Sequence, residues 1–185
     1  EIPDWVAQIR PDHPRLFLNA ETLPAVRERA LTVERDYYEL MKEHAETEPI
    51  RGRWNDRSRD PNLIPVPPLR PGSDIDARDW GTQAMSNAMI YLIEPSPEQL
   101  KRVRDMLWAS LDYYHACYAV NRSVNWYSRS RVCWLAALDW VWNDLDPEDR
   151  LEMGRSILLH ADEVLNKPDI AARAGSGHTA GYYGG

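Results

Sequence analysis

The residues best suited to chemistry come at the end of the chain. His178 sits in Ser176-Gly177-His178-Thr179-Ala180-Gly181-Tyr182-Tyr183-Gly184-Gly185, a lone imidazole among glycines and phenols. Imidazole takes or gives a proton near neutral pH, glycine lets backbone approach a ligand closely, and tyrosine offers a flat face and a hydroxyl. The chemistry this points to is proton transfer beside a bound ligand, with His178 as the catalytic candidate. Tyr182 and Tyr183 are candidates for ligand contact or packing, with a phenolic proton transfer as the alternative role. A second cluster, Asn121, Asn125, Trp126, Tyr127, Arg129 and Arg131, spans a connection between two predicted helices and the first turn of the second. Its guanidinium forks suit carboxylate or sulfate groups, and the alternative reading is helix capping with surface Arg pairing.

Other side chains are set aside by their surroundings. His13, His44, His115 and His160 have no His or Cys partner at a metal-ligand spacing, so no metal and no other cofactor is expected in this segment. Asp139 lies between Leu138 and Trp140 on a strongly apolar helix, where a carboxylate reads as a structural hydrogen-bond acceptor. A phosphate-cradling glycine loop, a nucleophile elbow and a Cys/His pair are all missing from the sequence, which removes the kinase, esterase and thiol-protease motifs. Cys117 and Cys133 are too few for a disulfide scaffold; they read as two buried thiols, a bridge between neighbouring helices being the alternative.

The elements that must position these residues are helices. The chain has 185 residues, enough for one domain with a hydrophobic core. Its formal net charge of −7 gives no global basic field, so nucleic acid is not an expected partner, and no apolar run is long enough to span a bilayer. Eight Trp and nine Tyr stand against one Phe, so most rings carry a polar handle suited to half-wet clefts as well as to helix packing. No signal peptide is visible, and the start at Glu1-Ile2-Pro3-Asp4 fits either a processed end or a trimmed chain.

Asn19 caps a helix from Thr22 to about Ala30, and a second helix covers Val33 to about Glu46 with Tyr37, Leu40, Met41 and Ala45 on its inward side. Between Glu48 and Asp76 prolines and Arg/Asp pairs predict a long loop, read as a flap near a cleft. Trp80, Ala84, Met85, Ala88, Met89, Tyr91 and Leu92 then mark a helix ending before Pro95. Ser96-Pro97 starts the next, with Leu100, Val103, Leu107, Leu111, Tyr114 and Tyr118 inward. A helix from near Ser128 through Val141 is apolar around much of its circumference and is expected to be sandwiched. Asp146-Pro147 opens a last one, with Leu151, Leu158, Ala161 and Leu165 at core spacing and a stop before Pro168. The pattern predicts an all-α fold of stacked antiparallel helical hairpins, compatible with a solenoid or toroid.

Several stretches together resemble the N-terminal part of heparinase II/III-type polysaccharide lyases. They are His13-Pro14-Arg15-Leu16-Phe17-Leu18-Asn19-Ala20-Glu21-Thr22-Leu23-Pro24, Trp126-Tyr127-Ser128-Arg129-Ser130-Arg131, Ala137-Leu138-Asp139-Trp140-Val141-Trp142-Asn143 and the His178 loop. The resemblance implies that residues 1–185 are the first portion of an incomplete (α/α) toroid, followed in such proteins by more helices and a β-sheet domain. It implies β-elimination on a uronic-acid polysaccharide in a periplasmic or secreted setting, with no cofactor in this segment. The partners it implies are the acidic polysaccharide and the remaining C-terminal part of the same protein. His178 would be the base or charge stabiliser, with its companion Tyr further along. Asn125 would hydrogen-bond the uronate carboxylate, Trp126 or Tyr127 would stack on a sugar, and Arg129 or Arg131 would pair with carboxylate or sulfate. The alternatives are a toroid glycoside hydrolase, for which Asp139 is the best inward carboxylate, and a non-catalytic carbohydrate-binding domain.

Overall fold

A computed structural model describes residues 7–46, 67–119 and 129–166. Within them the chain forms α1 (Leu23–Leu31), α2 (Arg35–Glu46), α3 (Gly81–Ile93), α4 (Pro97–Ala119), α5 (Arg129–Val141) and α6 (Pro147–Asn166), and no strand among the described residues. The fold is all-α. Three of the starts have a local cause. The Asn19 side chain accepts from the backbone N–H of Glu21 and Thr22 ahead of α1, Ser96 Oγ accepts from Gln99 N at the head of α4, and Asp146 accepts from Glu148 N at the head of α6. Proline opens α4 and α6, where its missing N–H costs nothing.

α3 is the centre of the assembly. It packs on α5, α4, α2 and α1, while α6 lies against α4. Small buried residues, Ala84 and Ala88 on α3 with Ala136 and Ala137 on α5, let helices approach closely. Around them close the large side chains of Val103, Met106, Leu107, Leu111, Tyr114, Trp134, Val141 and Met153, all essentially free of solvent. The predicted inward stripe of α4 is confirmed at Val103, Leu107, Leu111 and Tyr114. A buried amide ties three helices: Asn87 donates to the carbonyls of Ala45 and Gln83, and Gln99 donates to the Asn87 side-chain oxygen. Such a group is tolerated in a core only because its donors and acceptor are all used.

Three expectations about faces need correction. On α2 the buried residues are Tyr38 and Ala45, with Met41 beside them, whereas Tyr37 is 77 % exposed and Leu40 is also outward. The rotation is set by Tyr38, whose hydroxyl donates to Glu94 just after α3 at 2.5 Å, and by the Asn87 bond to Ala45. On α6 the packing face is Met153, Ile157 and His160, and Leu151 and Leu158 point outward, Leu158 at 70 % exposure. Polar ties to α4 decide this: Asp149 receives a two-toothed bond from Arg104 and one from the Trp108 indole, and Ser156 meets His115 at 2.7 Å. α5 is sandwiched as expected at Trp134, Ala136, Ala137, Leu138, Trp140 and Val141, all buried, and the correction there is confined to Val132 and Leu135, which are exposed. Cys117 and Cys133 are buried thiols with no disulfide between them. Among the described residues no helix is long and apolar enough to cross a membrane.

Candidate functional site

Helix α5 is held at both ends by buried carboxylates. At its C-terminal end Asp139, 5 % exposed, accepts from Arg15 N at 2.7 Å and Leu16 N at 2.8 Å through one oxygen, and meets His13 Nδ1 at 2.6 Å through the other. The same strap is sewn down twice more, by the Trp140 indole on the Leu16 carbonyl and by the Asn143 amide on the His13 carbonyl. The His13 ring stacks on Trp142 with centroids 5.0 Å apart. The strap bends sharply after Leu16, and Phe17 adopts a left-handed φ of 65°. Asp139 is therefore saturated by chain that begins 126 residues earlier, the structural role its apolar setting suggests.

At the other end Asp79, just before α3, receives hydroxyl bonds from Ser130 and from Tyr114, the latter at 3.1 Å. Both hydroxyls and the carboxylate are buried. The backbone of Gly81 lies so close to the Ser130 carbonyl that a Cβ would overlap it, and Trp80 N donates to Ser110 Oγ at 3.0 Å, locking the head of α3 to α4. One residue further, the Arg131 Nε–H donates to His160 Nε2 at 3.0 Å, and the guanidinium stands 6.0 Å from the Tyr114 ring. His160 stacks on Tyr114 at 5.2 Å and meets the His115 ring edge-on at 6.2 Å. The first turn of α5 is thus enclosed by α4, α6 and the residues leading into α3.

Electrostatics assigns the protons here. A guanidinium can only donate, so His160 Nε2 holds its lone pair towards Arg131 and the ring proton sits on Nδ1. Burial, reinforced by the neighbouring Arg131 and His115, lowers the His160 imidazole to about 3, so it is neutral at physiological pH. Burial and the Asp79 carboxylate push the Tyr114 phenol well above its usual range, which keeps it a hydrogen-bond donor and unsuited to act as a base.

Of the residues predicted from sequence, the structure places two beside this cluster. Arg129 opens α5, its side chain lying outside the described atoms. Arg131, expected to reach a carboxylate or sulfate, is 9 % exposed and turned onto His160. Asn121, Asn125, Trp126, Tyr127, His178, Tyr182 and Tyr183 lie outside the described residues. His115 and His160 are isolated in the sequence, yet the fold brings them together; Asp79 carries no signal there, and Tyr114 reads only as an inward core residue. No spacing signal could have paired them, because their separations reflect helix packing. Arg70, expected to pair with an acid of its own loop, instead forks onto Asp112 of α4 at 2.7 Å and lies over Trp108.

A groove of about 560 Å³ runs beside the N-terminal half of α4, lined by Trp80 and by Glu46, Asp74, Asp76, Glu98 and Asp105 against Lys101 and Arg102. Its surplus of carboxylates disfavours an anionic chain there. Comparison with known proteins returns no match: no family model, no curated protein and no solved structure matches the chain. Fold and site together define an all-α assembly in which helix α5 is anchored at each end by a buried carboxylate.

Proposed function

We propose that this chain is the helical portion of a lyase that cleaves uronic-acid-containing acidic polysaccharide by β-elimination, its hairpins being the first part of an incomplete (α/α) toroid. The observation that supports the reading is the union of residues 13–16 with residues 139–143 through Asp139, Trp140 and Asn143, since these are two of the separated stretches that carry the resemblance. The same geometry disfavours the glycoside hydrolase alternative: Asp139, its best carboxylate, is buried and occupied, whereas hydrolysis needs two carboxyl groups facing a sugar across a cleft.

The reaction dictates the roles. The C5 proton of a uronate is weakly acidic, so the site must neutralise the adjacent carboxylate, remove that proton, and protonate the departing O4 as the C4–O4 bond breaks and the C4–C5 double bond forms. His178 serves as base or charge stabiliser. Asn125 binds the carboxylate, Trp126 or Tyr127 stacks on a ring, Arg129 pairs with an anionic group, and Tyr182 and Tyr183 contact the substrate. Arg131 holds the turn from behind, through His160. The C-terminal remainder of the protein completes the cleft and supplies the companion Tyr, in a periplasmic or secreted protein.

The test is to incubate the intact protein with uronate polymers such as heparan sulfate and alginate and follow the near-ultraviolet absorbance of the 4,5-unsaturated end. Product is expected, and His178→Ala should remove most of it. Unchanged turnover in that variant would sink the assignment of His178, and saturated product ends would sink β-elimination.

A further inference from the structure

We infer that the groove beside the N-terminal half of α4 is a binding site for a small zwitterion with an apolar body, the class of free apolar amino acids and short peptides. The inference stands apart from the lyase reading. Its first support is shape. The groove lies where the end of α2, the run leading into α3 and the first half of α4 meet, and its volume of about 560 Å³ falls among those of sites that enclose small organic molecules. Part of its lining is apolar: Ile75 and Trp80 pack on the core, and Met106 is 1 % exposed. The Trp80 indole N–H donates to the Asp76 carbonyl at 2.7 Å, which fixes the ring as a wall for an apolar group.

The second support is the charge that the fold leaves unpaired. Asp105, 4 % exposed, accepts from Lys101 at 2.5 Å and from Arg104 at 3.3 Å, and Asp76 accepts from Arg78 at 2.6 Å. Arg102 is different. It is half-buried in the same groove, yet among the described residues its guanidinium bonds none of the five carboxylates that share the lining. Glu98 stands one helical turn before it, at the spacing and in the order that favour an ion pair, and is also unbonded among the described residues, as is Asp74 ahead of α3. A guanidinium fork suits a carboxylate, and a free carboxylate suits the N–H groups of an ammonium. Placed one turn apart beside an apolar wall, the two match both ends of one zwitterion. A polyanion would meet the surplus of acids, and a simple cation would leave Arg102 without a partner.

The experiment is isothermal titration calorimetry of the intact protein with L-phenylalanine and with the dipeptide phenylalanyl-leucine. At least one should bind saturably, and the tighter of the two names the source, free amino acid or peptide. The acetylated form of that ligand lacks the ammonium and the amidated form lacks the carboxylate. Each should bind on the order of ten- to a hundredfold more weakly, the loss expected for one charge-assisted pair. Arg102→Gln should erase the preference for the free carboxylate, and Glu98→Gln the preference for the free ammonium. Neither substitution removes a side-chain bond among the described residues, so both variants should stay folded, which circular dichroism checks. Failure of both ligands to saturate by about 10 mM would overturn the inference. So would binding that the blocked ligands or the two variants leave unchanged, because the ligand would then be held elsewhere or by its apolar part alone.

Discussion

His160 offers a quantitative check on the buried cluster. The ring is 2 % exposed, accepts from Arg131, and lies against Tyr114 and His115. Its imidazole is lowered from 6.5 to about 3, by burial first and then by Arg131 and His115. The folded state therefore binds this proton more weakly than the unfolded chain does. The stability tied to His160 is complete above pH 6.5 and is lost as pH falls from there towards 3. One pKa unit corresponds to about 1.4 kcal/mol, so lowering the pH from 7 to 5 should remove about 2 kcal/mol through this one side chain. Most carboxylates do not titrate in that interval, and the four other histidines are common to the wild type and a His160→Gln variant, so the difference between the two proteins isolates His160.

The assay is urea unfolding followed by tryptophan fluorescence at pH 7, 6 and 5, for the wild type and for His160→Gln. Glutamine can accept from Arg131 but does not titrate, so the variant lacks the pH-dependent term while sharing every other group. It should be less stable at pH 7, having lost the ring stack on Tyr114. The advantage of the wild type should then shrink by about 2 kcal/mol between pH 7 and 5. An advantage that stays constant across the series would refute a neutral, buried His160. One that grows on acidification would mean that the ring is protonated in the native state.

The remaining tests concern the two ends of α5. Asp139→Asn keeps shape but puts an amide donor against His13 or the backbone N–H groups of Arg15 and Leu16. It should cost about 2–4 kcal/mol in urea unfolding, as expected when charge-assisted buried bonds are replaced by a mismatch. A midpoint within error of wild type would show that the strap is not docked in solution. Gly81→Ala drives a methyl into the Ser130 carbonyl and should lower the thermal midpoint by an amount equivalent to about 1–3 kcal/mol. An unchanged or raised midpoint would place the α3 and α5 backbones further apart than described.

The helices were legible in the sequence because their signals are local. Asn19, Ser96-Pro97 and Asp146-Pro147 act within a few residues of themselves, and the structure starts α1, α4 and α6 at or near those positions. The central stripe of α4 was legible for the same reason, as its Val103, Leu107, Leu111 and Tyr114 recur at helical spacing with no competing apolar face. α2 and α6 each carry two candidate faces. There, Tyr37 or Tyr38 and Leu158 or His160 are equally plausible inward residues by periodicity, and the choice falls to partners on other helices, Glu94 and Asn87 for α2 and His115 and Arg131 for α6.

The candidate site divides the same way. The sequence by itself determined that this chain is helical, where its helices begin, and that Asp139, set among Leu138, Trp140 and Val141, would be a structural acceptor. Only the tertiary structure decided which residues meet: His13 with Asp139 across 126 positions, Asp79 with Ser130 across 51, and Arg131 with His160 across 29. The physical reason is that caps and hydrophobic period are set within one or two helical turns. A buried carboxylate or imidazole takes whichever donors the packed helices bring within about 3 Å, and no local pattern records that choice.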